Sequence, residues 1–545
     1  MEQGQLKPNQ FSRREFLLRL SAPAVLAIFN ACQDKPSLHQ LKGEIKGADS
    51  KLGHRLRTMD FPPVSQTVKT NVLIIGGGVA GLAAARELKK NKVDFLLLEL
   101  ESETGGNARG GKNAVSAYPL GAHYLPLPDQ TNKELLELLQ ENGTITGITE
   151  NGNPIYNELH LTFAPQERLF INTRWQNDLV PEYGLSSESL QQIERFEQLM
   201  DGFRKAIGSD GNRAFAIPLD RSSSDEQFRR LDKLTMLEWL KQQNLNAEEL
   251  IEYVNYCCRD DYGTTVSETS AWAGIHYYAS RHNEDQAHHG SVITFPEGNS
   301  RLVSTLRKSC EAHIRTQQMA IAVRITERSA QADVFDVTSG KTICYEAENI
   351  ILAVPQFIAS RLLGNTRELD TSVFSYAPWM VANITATAFY DNGPQPLSWD
   401  NVIHGSKSLG YVNACHQSMS SVHSNYVFTI YWPLSHKAPA EARREASEKT
   451  HAEWCEMIIA ELEQAHPGVR NCISNIDVWL WGHGMIRPVP GFIWGEARRK
   501  AAVPLGNRIC FAHSDLSGIS IFEEAFYSGI RAANFVVGKN KTADA

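Results

Sequence analysis

No Cys-x-x-Cys pair occurs anywhere in this chain. Apart from the adjacent Cys257 and Cys258, its nine cysteines are scattered. Metal-ligand spacing is therefore missing, and the thiols read as buried free cysteines rather than a disulfide framework. An excess of positive charge is missing too. The 54 Lys and Arg stand against 62 Asp and Glu, a net charge of −8. A mildly acidic chain lacks the basic footprint that phosphate backbones demand, so nucleic acid is not an expected partner. Glycine and proline are sparse, 38 and 23 in 545 residues, which excludes collagen-like and low-complexity classes. What remains is ordinary globular usage, 42% hydrophobic and 21% charged, and that rules out disorder of the whole chain. At roughly 150 residues per domain the length allows three to four domain-sized masses, enough for a large core without staples.

The N-terminus reads as an address. Ser12-Arg13-Arg14-Glu15-Phe16-Leu17 precedes an uncharged stretch from Leu20 to Ala31. Twelve helical residues rise about 18 Å, too short for a bilayer core of about 30 Å. A charged start, a short apolar stretch and a small residue before Cys32 make a secretory signal. The serine, paired arginines, phenylalanine and leucine resemble the twin-arginine export signal. That resemblance implies the export machinery as a partner, a protein folded around a cofactor before export, and a periplasmic location. Phe29-Asn30-Ala31-Cys32 loosely resembles a lipoprotein cleavage site, with Phe29 and Asn30 departing from it. A membrane tether through Cys32, cleavage nearby and an uncleaved anchor are the three outcomes left open. Removing residues 1–31 deletes four basic and two acidic residues and leaves 50 against 60, or −10. Residues 32–69 are polar, broken by Gly and Pro, and predict a tether.

Asn71 to Ile75 is a short apolar run, as for a buried parallel strand. Gly76-Gly77-Gly78-Val79-Ala80-Gly81 follows at once, then an Ala- and Leu-rich helical stretch to Lys90 and a second strand, Val93 to Glu99. This is the strand, glycine turn, helix and strand of a dinucleotide-binding unit. Gly76 permits the tight turn, Gly78 lets backbone approach a pyrophosphate, and Gly81 allows close helix–strand packing. The helix start offers N–H groups and a positive dipole end. Glu99, 18 residues after Gly81, is placed to accept adenosine ribose hydroxyls and to repel a 2′-phosphate.

That unit alone does not separate NAD from FAD. Gly105-Gly106-Asn107-Ala108-Arg109 follows Glu99. It resembles the diglycine–arginine extension of the flavin-containing amine oxidase superfamily, with Asn107 where the arginine normally stands and Arg109 two residues later. Near the C-terminus, Arg508 to Asp515 and then Ile521-Phe522 to Ala533 resemble the second flavin motif of that superfamily. The resemblance implies FAD, with Asp515 at the ribityl hydroxyls and a helix starting near Phe522 whose N–H groups face the flavin pyrimidine. Glu524 replaces the usual glycine of that helix. Tyr118 to Tyr124, with Gly121, Ala122 and His123, resembles the segment beside the isoalloxazine. Backbone near Val323 is implied to meet the adenine.

The implied fold class is α/β: a Rossmann-like FAD-binding domain of the two-dinucleotide-binding type, interleaved with an α+β substrate domain. The flavin domain is expected from residues 70–150, 290–365 and 476–540. The substrate domain is expected from 151–289, read as helical at Ser186–Ile207 and Met236–Tyr256, and from 366–475, which alternates more, as at Met380–Phe389 and Tyr426–Trp432.

An FAD-dependent oxidoreductase follows from the resemblance, with hydride transfer to flavin N5 and reoxidation by oxygen or a quinone. Two departures bear on the substrate. No lysine lies in Trp379–Phe389, where many relatives carry one near N5, and Asn383 or Ile384 takes the place. Ile521 stands where monoamine-type members have a cage tyrosine. Trp481 and His483, in Trp479-Leu480-Trp481-Gly482-His483-Gly484, and His123 are the candidates for substrate contact. Trp399–Asn401 and Gly410–Gln417 are candidate pocket lining. His288-His289 reads as a solvated loop, and no metal is expected. The alternatives are a phytoene- or protoporphyrinogen-type dehydrogenase acting on an apolar small molecule, and a flavin-binding partner protein without turnover.

Overall fold

The computed structural model describes residues 41–281, 290–389, 391, 395–418 and 424–543. The twin-arginine stretch, Cys32 and His288-His289 lie outside the described residues.

The apolar run at Asn71 is the end of a longer strand, Val64–Ile75. It pairs in parallel with Phe95–Leu98 on one side and Lys341–Leu352 on the other. Both faces are covered, which explains a run without alternation. Val72 and Ile74 enter a core built with the Val79–Lys90 and Phe522–Ala543 helices. Leu73 and Ile75 enter a second core on the other face, with the Gln356–Leu363 helix and an antiparallel meander, Gln318–Ile325 and Ala330–Asp336. Ile509–Phe511 adds in parallel to Lys341–Leu352. The result is a seven-stranded sheet with Val64–Ile75 at its centre.

A second sheet has eight strands. Its centre is Tyr376–Thr387, antiparallel to both Asn425–Pro433 and Ile473–Ile486. Glu167–Ile171 and Arg174–Asn177 close one edge. A helical block packs its own core around Phe196, Phe215, Trp272 and Tyr262. Its first helix, Ser187–Lys205, is capped by Ser186, whose hydroxyl accepts Ser189 N–H at 3.0 Å.

Three expectations change. The single helix over Met236–Tyr256 is two, Met236–Gln242 and Glu248–Tyr262, because Asn244 takes a left-handed φ of 57° between them. The boundary at 475/476 falls inside the Ile473–Ile486 strand, which belongs to the eight-stranded sheet. The tether expected over 32–69 is folded from residue 41 onward. Ile45–Gly47 pairs with Val478–Leu480, Ser50–Thr58 is a helix, and the first Rossmann strand already starts at Val64. Asp49 caps that helix through its carboxylate on Leu52 N–H at 2.9 Å, which makes a polar segment helical without a long apolar face.

Candidate active site

The glycine turn is built around two close approaches. Gly76 has φ +107°, and a Cβ there would stand 2.2 Å from Ala353 O. A Cβ on Gly81 would stand 1.8 Å from Gly76 O. Protein packing alone therefore demands glycine at both places. Gly78 differs. Its φ of −72° suits any residue, and a Cβ would meet only Gly106 Cα at 4.0 Å. The space it leaves empty faces a long cleft of about 1440 Å³.

That cleft runs along the C-terminal ends of the parallel strands, the place where open α/β sheets bind ligands. Glu99 lines it, with its carboxylate accepting Gly77 N–H at 2.6 Å and Glu101 N–H at 2.8 Å. Burial raises the Glu99 pKa, against the pull of those two amides. Gly76, Gly78, Ala80, Gly106, Asn107 and Ala122 line the same cleft, as do Asp515, Ile521 and Phe522. Asp515 is fully buried and accepts Gln356 N–H at 2.8 Å and the Tyr376 hydroxyl at 2.5 Å, both on Oδ2. Its Oδ1 has no hydrogen-bond donor, although His513 Nδ1 stands 2.9 Å away. Burial opposes its charge, but the His513 charge and these donors hold its pKa below the usual carboxylate value. An anionic carboxylate with a free buried oxygen, a helix start and an open glycine loop all suit a dinucleotide with hydroxyl-bearing sugars. The residues present therefore fit FAD.

Other expected cofactor residues stand elsewhere. Val323 does not line the cleft. Gln318, Met319 and Ala320, earlier on the same strand, form that wall. Gly77 and Gly81 act from behind the lining. So does Arg109, whose Nε donates to Gly106 O at 3.3 Å and whose guanidinium lies 5.2 Å and 5.4 Å from the Trp479 and Trp481 rings. It props the diglycine loop against the tryptophans. Glu524 Oε1 accepts Leu219 N–H at 2.5 Å, so the carboxylate in place of glycine ties the last helix to the helical block.

A second cavity, of about 950 Å³, shares Asn107, Ala122, Gly484, Ser520, Ile521 and Phe522 with the cleft. His123 and Trp481 line it, together with Tyr124, Trp379, Val381 and Tyr431; Gly121, expected at the cofactor, lines this cavity and not the cleft. Trp481 is fixed by Nε1 donating to Leu120 O at 2.6 Å, and Tyr431 by its hydroxyl donating to Gly121 O at 3.0 Å. The His123 ring stacks on Tyr431 at 4.4 Å, and burial pushes its pKa down to about 3. His123 is therefore a neutral wall and not an acid at physiological pH.

His483 belongs to the other chamber. It lines the cleft and packs 4.7 Å from the Phe357 ring. Strict alternation would put Trp481 and His483 on one face, but the pairing with Tyr376–Thr387 slips between Trp481 and Met485. Trp399 lies outside the cavity lining, 5.6 Å behind His123. Asn401 serves the buried Arg168, accepting from its Nε at 2.6 Å, and His416 stacks on Phe163 at 4.1 Å. At the place of the missing lysine, Trp379 and Val381 face the cavity. Asn383 is held structurally, donating to Pro119 O at 3.2 Å and accepting from Thr429 at 2.8 Å.

Sequence reasoning missed the charged wall. Asp260, Asp261, Arg281 and Glu523 line the aromatic cavity. Arg281 Nη2 reaches Asp261 at 2.9 Å and 3.1 Å and Tyr124 OH at 3.1 Å. Tyr124 OH also lies 3.3 Å from an oxygen of each aspartate. Burial, then the neighbouring Asp261, pushes Asp260 up to about 7. An adjacent acidic pair beside the buried Cys257 and Cys258 was the available signal, since apolar neighbours place such a pair inside.

This combination defines a class: a two-part α/β nucleotide-binding fold whose cleft abuts an aromatic cavity. A family model described as "NAD(P)-binding Rossmann-like domain" matches residues 74–141. The chain is 21% identical over 366 residues to "Probable flavin-containing monoamine oxidase A" of Dictyostelium discoideum, covering 63% of this chain and 73% of that one. A redesigned putrescine oxidase superposes with a TM-score of 0.64 at 17% identity, over 87% of this chain and all of that one. Cyclohexylamine oxidase from Brevibacterium oxydans does so at 0.62 and 15%, over 87% and 99%. The fold is that of these amine oxidases.

Proposed function

We propose that the chain is an FAD-dependent oxidoreductase of the amine-oxidase type. The observation that carries the reading is the wall shared by the cleft and the aromatic cavity, which brings a carboxylate-bearing substrate chamber against the place for a flavin ring. Glu99 would hold the adenosine ribose, the turn at Gly78 the diphosphate, Asp515 the ribityl chain and the helix start at Phe522 the pyrimidine. Bound FAD supplies a hydride acceptor at N5, which oxygen or a quinone then reoxidises.

The chain supplies orientation. Trp481, Tyr431 and His123 form a rigid aromatic wall that excludes water from the reacting carbon. Asp260 and Asp261, sharing Tyr124 and Arg281, provide a negative field for a substrate ammonium, and Asp260 has a proton affinity suited to taking its proton. Aromatic faces add cation–π attraction. Buried carboxylates on the wall count against the apolar-substrate alternative.

An anaerobic amine panel tests the reading. Bleaching of the flavin by a primary amine, with peroxide on readmitting air, is the expected result. Bleaching by no amine would sink it. Export to the periplasm is part of the proposal and rests on residues 12–32 alone. Arg13→Lys with Arg14→Lys should leave the protein in the cytoplasmic fraction.

A further inference from the structure

The aromatic cavity borders a further space. A third cavity, of about 1020 Å³, shares Pro126, Ile217, Arg281 and Glu523 with it. Loops from Asp129 to Asn132 and from Gly211 to Arg213, with Asp220 and Arg221, make its outer rim. The four shared residues are the wall common to this outer chamber and the aromatic cavity.

Charges in this chamber are matched, with one exception. Arg213 Nη2 lies 3.4 Å from Asp129 Oδ2. Arg221 donates to Thr131 Oγ1 at 3.1 Å and to Asn132 Oδ1. Asp220 lies 2.9 Å from Arg531 Nη1. Arg281 is committed to Asp261 and Tyr124. Glu523 is 3% exposed, and the cation that acts on its carboxylate is Arg281, which is committed to Asp261 and Tyr124. The hydrogen bond assigned to it is with its own backbone N–H. Its neighbour Glu524 points away to Leu219 N–H. The first turn of one helix thus divides two adjacent carboxylates, one bound into the frame and one left facing both cavities. Glu523 follows Phe522, which lines the flavin cleft. The pull of Arg281 does not offset the cost of burying that carboxylate, and a cation arriving beside it lowers that cost further.

We propose that the outer chamber opens through this shared wall as the approach for substrate and that Glu523, at that neck, is a specificity-determining residue that accepts the substrate's ammonium. This rests on the amine reading above and names the route and residue by which that site selects cations. Burial is the main reason the Glu523 carboxyl sits up at about 8 without a ligand, and an entering ammonium restores its charged form.

The test uses the flavin-loaded full chain and n-butylamine, with Glu523→Gln as an isosteric variant. In anaerobic stopped-flow reduction, Glu523→Gln should raise the Kd for n-butylamine at least tenfold and change the limiting rate far less. Ile217→Trp, which fills the neck, should lower the second-order rate constant at least tenfold while dithionite still reduces its flavin at the wild-type rate. A Glu523→Gln Kd within twofold of wild type would overturn the proposal. So would a loss confined to the limiting rate, or an Ile217→Trp variant as fast as wild type. If no amine reduces the wild-type flavin, the amine reading falls, and calorimetric binding of tetramethylammonium then judges the chamber. Binding that Glu523→Gln abolishes supports it. Equal binding, or none to wild type, overturns it.

Discussion

Glu99 accepts the amide hydrogen of Gly77 at 2.6 Å, so the carboxylate ending one strand is locked onto the turn ending its neighbour. Two elements 22 residues apart become one rigid wall of the cleft. The second carboxylate oxygen is braced by Glu101 N–H at 2.8 Å. Glu99→Gln replaces one acceptor oxygen with a donor that faces an amide. A charge-assisted hydrogen bond contributes about 1.5–3 kcal/mol, so flavin retention should weaken roughly 10- to 100-fold. Flavin absorbance after dialysis against graded FAD reads this directly.

The glycines of the turn should separate into two kinds. Gly78→Val adds atoms only to the open cleft, so the protein should fold and emerge colourless. Gly81→Val drives a side chain into Gly76 O and should reduce soluble yield and Tm. Circular dichroism with flavin absorbance distinguishes them. A yellow Gly78→Val protein would show that the diphosphate does not lie there.

In the flavin-free protein, stability should fall as pH rises from about 6.5 to 8.5. Burial above all lifts Glu167, Asp260 and Glu524 to about 7 and Glu523 to about 8. Unfolding returns them to about 4.3 or below. In this window the folded chain keeps protons that the unfolded chain releases, so each rise in pH favours unfolding. His123, held near 3, and His416 and His466, near 4, act with the opposite sign, but only below about pH 6.5. A Tm series in matched ionic strength checks the direction, and a flat or rising series would contradict it.

Arg168 is fully buried and donates to Asn401 at 2.6 Å, Asp391 at 2.5 Å and Tyr411 OH at 3.2 Å. Arg168→Ala strands those partners and should cost about 3–5 kcal/mol. Chemical denaturation should show the loss. FAD affinity should stay within twofold, because Arg168 lies outside the lining of the cleft.

The strand, glycine turn and helix with Glu99 were legible because each depends on near neighbours in sequence. The C-terminal motif was legible for the same reason, down to Asp515 and the helix start at Phe522. What tertiary packing decides was not. Val323 lies three residues beyond Ala320, where its strand has already left the wall, and no local pattern announces that point. Arg109 found two tryptophan faces more than 300 residues away. His483 entered the flavin cleft instead of the substrate cavity. The charged groups of the aromatic cavity, Asp260 with Asp261, Arg281 and Glu523, come from three separate stretches of chain, and their convergence is a property of the fold.

Gly53 and Leu56, from the short helix before the Rossmann strand, form part of the cleft wall. A chain trimmed to begin at Val64 would keep every recognisable nucleotide motif and still lack a side of its container. The smallest piece that carries the signature is thus smaller than the smallest piece able to hold the cofactor, and minimal domains cut by motif alone should leak flavin.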